Sequence, residues 1–483
     1  MKFSAVLFPF FFCLCFLVPA FSLVFVLVFI RMTFFRISRQ QEIQSSDGPF
    51  DWQYWKRRKQ NMENDPFKNQ TTHSAQRVSK KEESPRLECL RCHNRDPKLF
   101  FFHDGFWYCR KCLDFGALKA GQKPQAPCLS HRVWKGKPVL EFELTPLQKE
   151  ASARSLSILQ SHRDLLVYAA AGCGKTELTL ESICAYLAQG KKVCFAISRR
   201  QVVMEIAERL RKNFPELHIV QICEGFTDET DGDLIVCTTH QLYRFPYSFD
   251  LLILDELDAF PYAGNEVLEA IALQSCIGQR MLLSATPDAK SLEAIERGEM
   301  EMVNLFLRPH RHPLCVPVVK RGSKLKQVLI LIAYCRRYIQ NGKQVLLFVP
   351  RIADTRWMKP VIRLFFPCSV IHSKTKNKDE VMAEFHARKT MVLICTTLLE
   401  RGITVPSVQV AVYRADHPVF TSASLIQIFG RAGRSFKDPS GEGIALIESP
   451  SRALDACIRQ LRYMNSVSGA DQNFPAAKRS RFF

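Results

Sequence analysis

From about residue 160 onward, unbroken apolar runs recur between stretches of helical periodicity. The runs are Asp164-Leu-Leu-Val-Tyr-Ala, Lys192 to Ile197, Asp233 to Val236, Phe249 to Leu254 and Met281 to Leu283. A strand exposed on one face alternates apolar with polar; a run apolar throughout is buried on both faces, as in a parallel sheet covered by helices. A second series repeats the pattern at Gln344 to Val349, Cys368 to His372, Val392 to Cys395 and Gln409 to Tyr413. The expected architecture is therefore α/β, in two parallel-sheet halves. Ahead of the first strand, Thr145 is placed to cap a helix whose first turn holds Pro146. After that strand, an apolar-periodic helix runs through Ala188.

The beginning of the chain has a different character. Phe3 to Ile30 is uncharged and apolar apart from Ser4 and Ser22, with prolines at 9 and 19. That is long enough to span a bilayer, and Pro19-Ala-Phe-Ser22 makes a poor signal-cleavage site. Only Lys2 precedes the run, while Arg31, Arg36, Arg39 and the cluster Lys56 to Lys59 follow it, which places the body of the protein in the cytoplasm, at the inner face of the membrane. Residues 1–31 read either as such an anchor or as sequence preceding a start at Met32. Residues 32–84 form a polar linker, in which Trp52, Tyr54 and Trp55 beside Lys56 to Lys59 read as a docking patch or as a stacking contact for nucleic acid.

Charge and cysteine usage narrow the picture. Lys and Arg number 67 against 47 Asp and Glu, a net charge of +20, which suits a polyanionic partner such as nucleic acid or an anionic membrane surface. Most of the 18 cysteines, Cys194, Cys237 and Cys395 among them, stand singly in apolar runs and read as core. Four do not. Cys89-Leu-Arg-Cys92 and Cys109-Arg-Lys-Cys112 are two knuckles able to set four thiolates around a zinc ion. Between them, the aromatic run from Leu99 reads as a hairpin turning at Asp104-Gly105. This is a zinc-ribbon pattern at 85–120, with a closed, structural site; His93 and His103 lie nearby but are not needed as ligands.

The strand ending at Ala169 runs into Ala169-Ala170-Ala171-Gly172-Cys173-Gly174-Lys175-Thr176 and then a helix. Strand, glycine-containing loop, Lys-Thr and helix make a phosphate-binding loop, with Ala169 in the first glycine position. Its amides and the helix N-terminus suit the phosphates of ATP, Lys175 reaches the terminal phosphates, and Thr176 is a Mg²⁺ ligand. A second strand ends in Asp255-Glu256, at the sheet edge where open α/β folds bind ligands. Asp255 would hold Mg²⁺, and Glu256 would orient and deprotonate the attacking water.

Over about residues 140–450 the order of these motifs resembles the superfamily 2 helicases of the DEAD-box-like kind. The resemblance implies two RecA-like motor lobes, at 121–315 and 316–483, preceded by the small zinc ribbon. Gln148 takes the place of the adenine-reading Gln. Ser198-Arg199-Arg200-Gln and Cys237-Thr238-Thr239-His-Gln look like contacts to a nucleic-acid backbone, as do Thr396 and Thr397 in the second half. Ser284-Ala-Thr286 looks like the motif that links hydrolysis to lobe movement. Gln427-Ile-Phe-Gly430-Arg431-Ala-Gly433-Arg434 matches the last motif, whose arginines reach across the cleft to the γ-phosphate.

The ribbon ahead of the motor, together with the run Asp255-Glu-Leu-Asp-Ala-Phe-Pro-Tyr262, is similar to the ComFA late-competence proteins of Firmicute bacteria. That resemblance implies a single-stranded-DNA-dependent ATPase on the cytoplasmic side of the DNA-uptake machinery, with partners of the ComFC and DprA kind. Two further readings stay open: a replication-restart or repair helicase of the PriA kind, and a nucleotide-gated DNA clamp that does not translocate.

Overall fold

The computed structural model describes residues 87–257, 262–397, 405, 407–436 and 438–469. The apolar segment 1–31, the linker at 32–84, the end of the acidic motif at 258–261, residues 398–404 and the basic tail lie outside them. Among the described residues no helix is long and apolar enough to cross a membrane.

Strands β1 (Phe100–His103) and β2 (Phe106–Cys109) form the antiparallel hairpin of the ribbon. Asp104 and Gly105 both take positive φ, 49° and 78°, the left-handed pair that a two-residue turn between right-twisted strands requires. From the ribbon the chain runs along the first lobe as a strap without regular structure. The buried Trp134 pins it, with its indole N–H donating to Glu216 at 2.9 Å and its ring edge-on to Phe214.

The first lobe contains α1 (Pro146–Gln160), β3 (Asp164–Ala169), α2 (Lys175–Leu187), β4 (Val193–Ile197), α3 (Arg200–Asn213), β5 (Ile219–Ile222) and β6 (Leu234–Thr238). It continues with β7 (Phe249–Asp255), α4 (Glu266–Ser275), β8 (Cys276–Ser284), α5 (Ala289–Glu296) and β9 (Met300–Leu305). Its seven strands lie in the order β5-β6-β4-β7-β8-β3-β9 and are all parallel. The second lobe contains β10 (Val318–Arg321), α6 (Lys324–Gln340), β11 (Gln344–Phe348), α7 (Ile352–Arg363), β12 (Cys368–Ile371) and α8 (Lys378–His386). β13 (Val392–Cys395), β14 (Val408–Val412), α9 (Ser422–Phe429), β15 (Gly443–Ile447) and α10 (Arg452–Val467) complete it. Its parallel order is β10-β15-β14-β11-β13-β12. The architecture is thus two RecA-like parallel-sheet lobes behind a small ribbon.

The unbroken apolar runs are the interior strands: every residue of β4, β6, β11, β13 and β14 is buried. Strands that the pattern did not reveal are β5, β9, β10 and β15. Three of them are sheet edges, where one side meets solvent, and β9 (Met-Glu-Met-Val-Asn-Leu) and β10 (Val-Val-Lys-Arg) carry polar residues accordingly. β8 begins at Cys276, five residues before the apolar run that marks it.

The last strand of the first sheet ends at Leu305 and the first of the second begins at Val318. One apolar cluster runs through this crossing, taking in Phe306, Leu314 and Cys315 with Phe429, Ala432, Leu461 and Met464 of the second lobe. α10 returns to the crossing. Asn465 bonds both the N–H and the carbonyl of Leu314, at 2.7 and 3.0 Å, and Gln460 donates to the Tyr168 hydroxyl of β3 at 2.6 Å.

Candidate nucleotide and nucleic-acid site

In a parallel sheet all strands end at the same edge, so motifs far apart in sequence are gathered there. The loop Ala169 to Gly174 leaves β3, Arg199 and Arg200 follow β4, Thr238 ends β6, Asp255 ends β7 and Ser284 ends β8. Gly172 and Gly174 have φ of 83° and 85°, which turns the loop back on itself at the N-terminus of α2. The Lys175 ammonium lies 3.7 Å from the Asp255 carboxylate, and Thr176 is buried in the first turn of α2. This basic, hydroxyl and acidic set beside a loop of amides is the donor set that a triphosphate with Mg²⁺ needs. Burial pushes the Cys173 thiol up to about 12, so this cysteine is packing rather than a reactive group.

Glu256 has a φ of 57°, a left-handed conformation that turns the chain sharply just past the strand. Its N–H donates to its neighbour's Asp255 carboxylate at 2.9 Å. Its charge reaches the two arginines of the other lobe, tending to hold both protonated against their burial. Burial lowers Arg431 to about 9 and lowers Arg434 as well, yet both remain cations at neutral pH.

The second lobe meets the phosphate loop directly. A Cβ placed on Gly430 would come within 2.9 Å of the Ala171 Cβ, so only glycine allows this approach. The Arg434 side chain lies against Gly172, where an added Cβ would stand 3.6 Å from the arginine Cγ. The two half-sites are held together by Arg308, a residue that no sequence motif singles out. Its guanidinium, fully buried in the crossing segment, donates to Ala171 O of the loop at 2.9 Å. It also donates to Gly430 O, Ala432 O and Gly433 O at 2.6, 2.7 and 2.8 Å. Beside it His310 bonds Gly433 O at 2.9 Å. Burial lowers Arg308 to about 10, still charged at neutral pH.

Gln148 sits against the phosphate loop. Its carbonyl accepts from the N–H and hydroxyl of Thr145, closing a capping box on α1, and its amide donates to Cys173 O at 2.9 Å. Buried and bonded at both ends, it braces the phosphate loop. Nearby, Phe142 of the strap stacks with Phe436 of the second lobe, both exposed, with ring centroids 5.9 Å apart.

The expected nucleic-acid contacts are distributed along the same edges. Thr239 opens a short 3-10 turn (Thr239–Arg244), and Thr396 and Thr397 follow β13. Among the described residues, the buried hydroxyls of Ser198 and Thr239 have no hydrogen-bond partner, the kind of group a ligand completes. Arg200 donates to Glu224 O at 2.8 Å, and the charge of Arg199 acts on Arg431, which places Arg199 toward the cleft.

In the ribbon, the sulfurs of Cys89, Cys92, Cys109 and Cys112 all lie within 4.8 Å of one another and are buried. Cys89–Cys112 and Cys92–Cys109 are each 3.6 Å apart. A tetrahedron of thiolates around zinc has an edge of about 3.8 Å. Hydrogen bonds from Cys112 and then Cys92 hold the Cys89 thiol far below its ordinary range, while bonding to Cys89 drives Cys112 far above it. Four buried thiols in this arrangement are the donor set of a closed, structural zinc site.

Two RecA-like lobes sharing one phosphate site define an ATP-dependent helicase-type hydrolase. Residues 141–289 match the family described as type III restriction enzyme, res subunit, and residues 323–436 match the helicase conserved C-terminal domain. Competence protein ComFA of Streptococcus pneumoniae is 31% identical over 407 residues, 80% of this chain and 93% of that protein. Its counterpart in Bacillus subtilis is 29% identical over 405 residues, 79% and 86% respectively. A solved structure of RecG bound to a three-way DNA junction shares the fold, with a TM-score of 0.50 and 19% identity over 71% of this chain and 48% of that one. The chain belongs to the ComFA family of competence proteins.

Proposed function

We propose that the chain is a single-stranded-DNA-dependent ATPase that translocates DNA during transformation. It would work at the cytoplasmic face of the membrane, with partners of the ComFC and DprA kind. The observation that carries this reading is the meeting of two half-sites: the loop of Lys175 on one lobe and the segment of Arg431 and Arg434 on the other, joined through Arg308. Lys175, Thr176 and the loop amides would bind the phosphates, with Thr176 and Asp255 holding Mg²⁺, which screens phosphate charge when bound. Glu256 would orient and deprotonate the attacking water, and the two arginines would stabilise charge from the far lobe. Gln148 would read the adenine, and the exposed Phe142–Phe436 pair would offer a ring face to the nucleobase. Arg199, Arg200, Thr238, Thr239, Thr396 and Thr397 would meet the strand by its phosphates, which predicts binding indifferent to sequence and sensitive to salt.

Lys175→Ala should abolish ATP turnover and leave the far-UV spectrum and melting curve intact; normal turnover in this variant refutes the site. Turnover with single-stranded DNA, duplex DNA and RNA, beside movement along a labelled strand, separates a translocase from a clamp. Hydrolysis without movement would favour the clamp.

A further inference from the structure

We propose that the exposed aromatic tip of the ribbon hairpin is a second contact for single-stranded DNA, on which bases stack. This rests on the reading of the chain as a single-stranded-DNA motor and adds a site outside the motor motifs.

The hairpin has two ends with different demands. At the metal end, Phe100 opposite Cys109 is buried against the cysteine cluster. At the tip, Phe102, Phe106 and Trp107 are 59%, 48% and 37% exposed. Cross-strand ring pairing helps the hairpin close, but it leaves large apolar faces open to solvent at the tip. The rings are ordered all the same. Phe102 faces Trp107 with centroids 5.3 Å apart, and Phe101 stacks on Tyr108 at 5.5 Å. Cations sit on the ring faces: the Lys119 ammonium is 3.3 Å from the Phe106 centroid, and the Arg110 guanidinium 5.3 Å from that of Phe101. The backbone of Lys119 bridges Tyr108, which fixes the lysine beside the hairpin. Aromatic faces for bases with cations within reach of phosphates are the chemistry of strand binding without sequence preference.

The ribbon is also fixed to the part of the motor where a strand is expected. Phe115 packs on Tyr243 and His240, at 5.6 and 6.2 Å, in the turn that follows Thr238 and Thr239. Lys111 bonds Glu266 at 2.7 Å, and Gln274 donates to Leu90 O. The tip is thus a rigid extension of the first lobe.

The test is the anisotropy of labelled oligo(dT) with the zinc-loaded full-length chain. Substituting Phe106→Leu with Trp107→Leu keeps apolar bulk and removes the flat rings. Affinity is expected to fall about 5- to 100-fold, with zinc content and DNA-free ATP turnover unchanged, while Trp107→Phe keeps wild-type affinity. Wild-type affinity in the double leucine variant overturns the proposal and leaves the tip to a protein partner. Lys119→Gln gives a second arm should the leucine variant lose its metal: it should weaken binding and flatten the salt dependence, and an unchanged affinity and slope overturn the proposal. If the wild-type chain does not bind oligo(dT), the motor reading itself fails; if it binds and the variants bind equally, only the ribbon site fails.

Discussion

Arg308→Lys keeps a positive charge in the crossing between the lobes and removes the planar fork that spans them. Arginine makes four bonds there, one to the phosphate loop and three to the carbonyls at Gly430, Ala432 and Gly433. A lysine ammonium has three donors on a point charge and cannot reach both lobes in one plane. At least one bond is lost, and a bond to a charged group contributes about 1.5–3 kcal/mol. The loop itself, with Lys175 and Thr176, is untouched, so nucleotide binding to the first lobe should persist. The loss falls on the state in which the arginines of the second lobe face the phosphates. At about 1.4 kcal/mol per tenfold, turnover should drop roughly 10- to 100-fold with little change in KM for ATP. Steady-state ATP hydrolysis with single-stranded DNA in excess measures both quantities. Wild-type turnover in Arg308→Lys, or a loss confined to KM, would show that Arg308 fills space without coupling the half-sites.

Cys89→Ser removes one of the four thiols and should release zinc and loosen the ribbon; unchanged metal content after purification would contradict the Cys₄ site. Acid should weaken the crossing. Burial, reinforced by the neighbouring Arg308 charge, holds His310 at about 4 against an ordinary 6.5. Between those values the unfolded chain binds the extra proton and the folded one does not, so stability present at neutral pH is lost as pH falls from 6.5 toward 4. The melting temperature should fall over that window more in the wild type than in His310→Asn, and identical slopes would refute the assignment.

The buried strands were legible because parallel sheets between helices tolerate no polar interruption, and the ribbon because metal ligation fixes cysteine spacing. Both signals are local. The capping box of α1 was half legible: Thr145 and Pro146 announce the helix start, but nothing local shows that Gln148 closes the box and braces Cys173. Arg308 was invisible for a stronger reason. All its partners are backbone carbonyls, which every residue carries, and all four lie more than a hundred positions away. Its neighbours, prolines and histidines in a crossing segment, read as solvent-facing linker. The edge strands β9 and β10 were missed because short, partly exposed strands carry too few apolar positions to stand out, and β5 because its four residues, interrupted by Gln221, make too short a run.

The return of α10 to the crossing has a consequence for synthesis. Tyr168 and Leu314 are made well before their partners Gln460 and Asn465, which follow them by 292 and 151 positions. A ribosome-bound chain can fold its first sheet long before this seam can close, and in that interval the apolar residues around Phe306 stand uncovered. Truncation or slow elongation within the last helix should therefore leave a folded first lobe with an adhesive flank, a species for chaperones to shield.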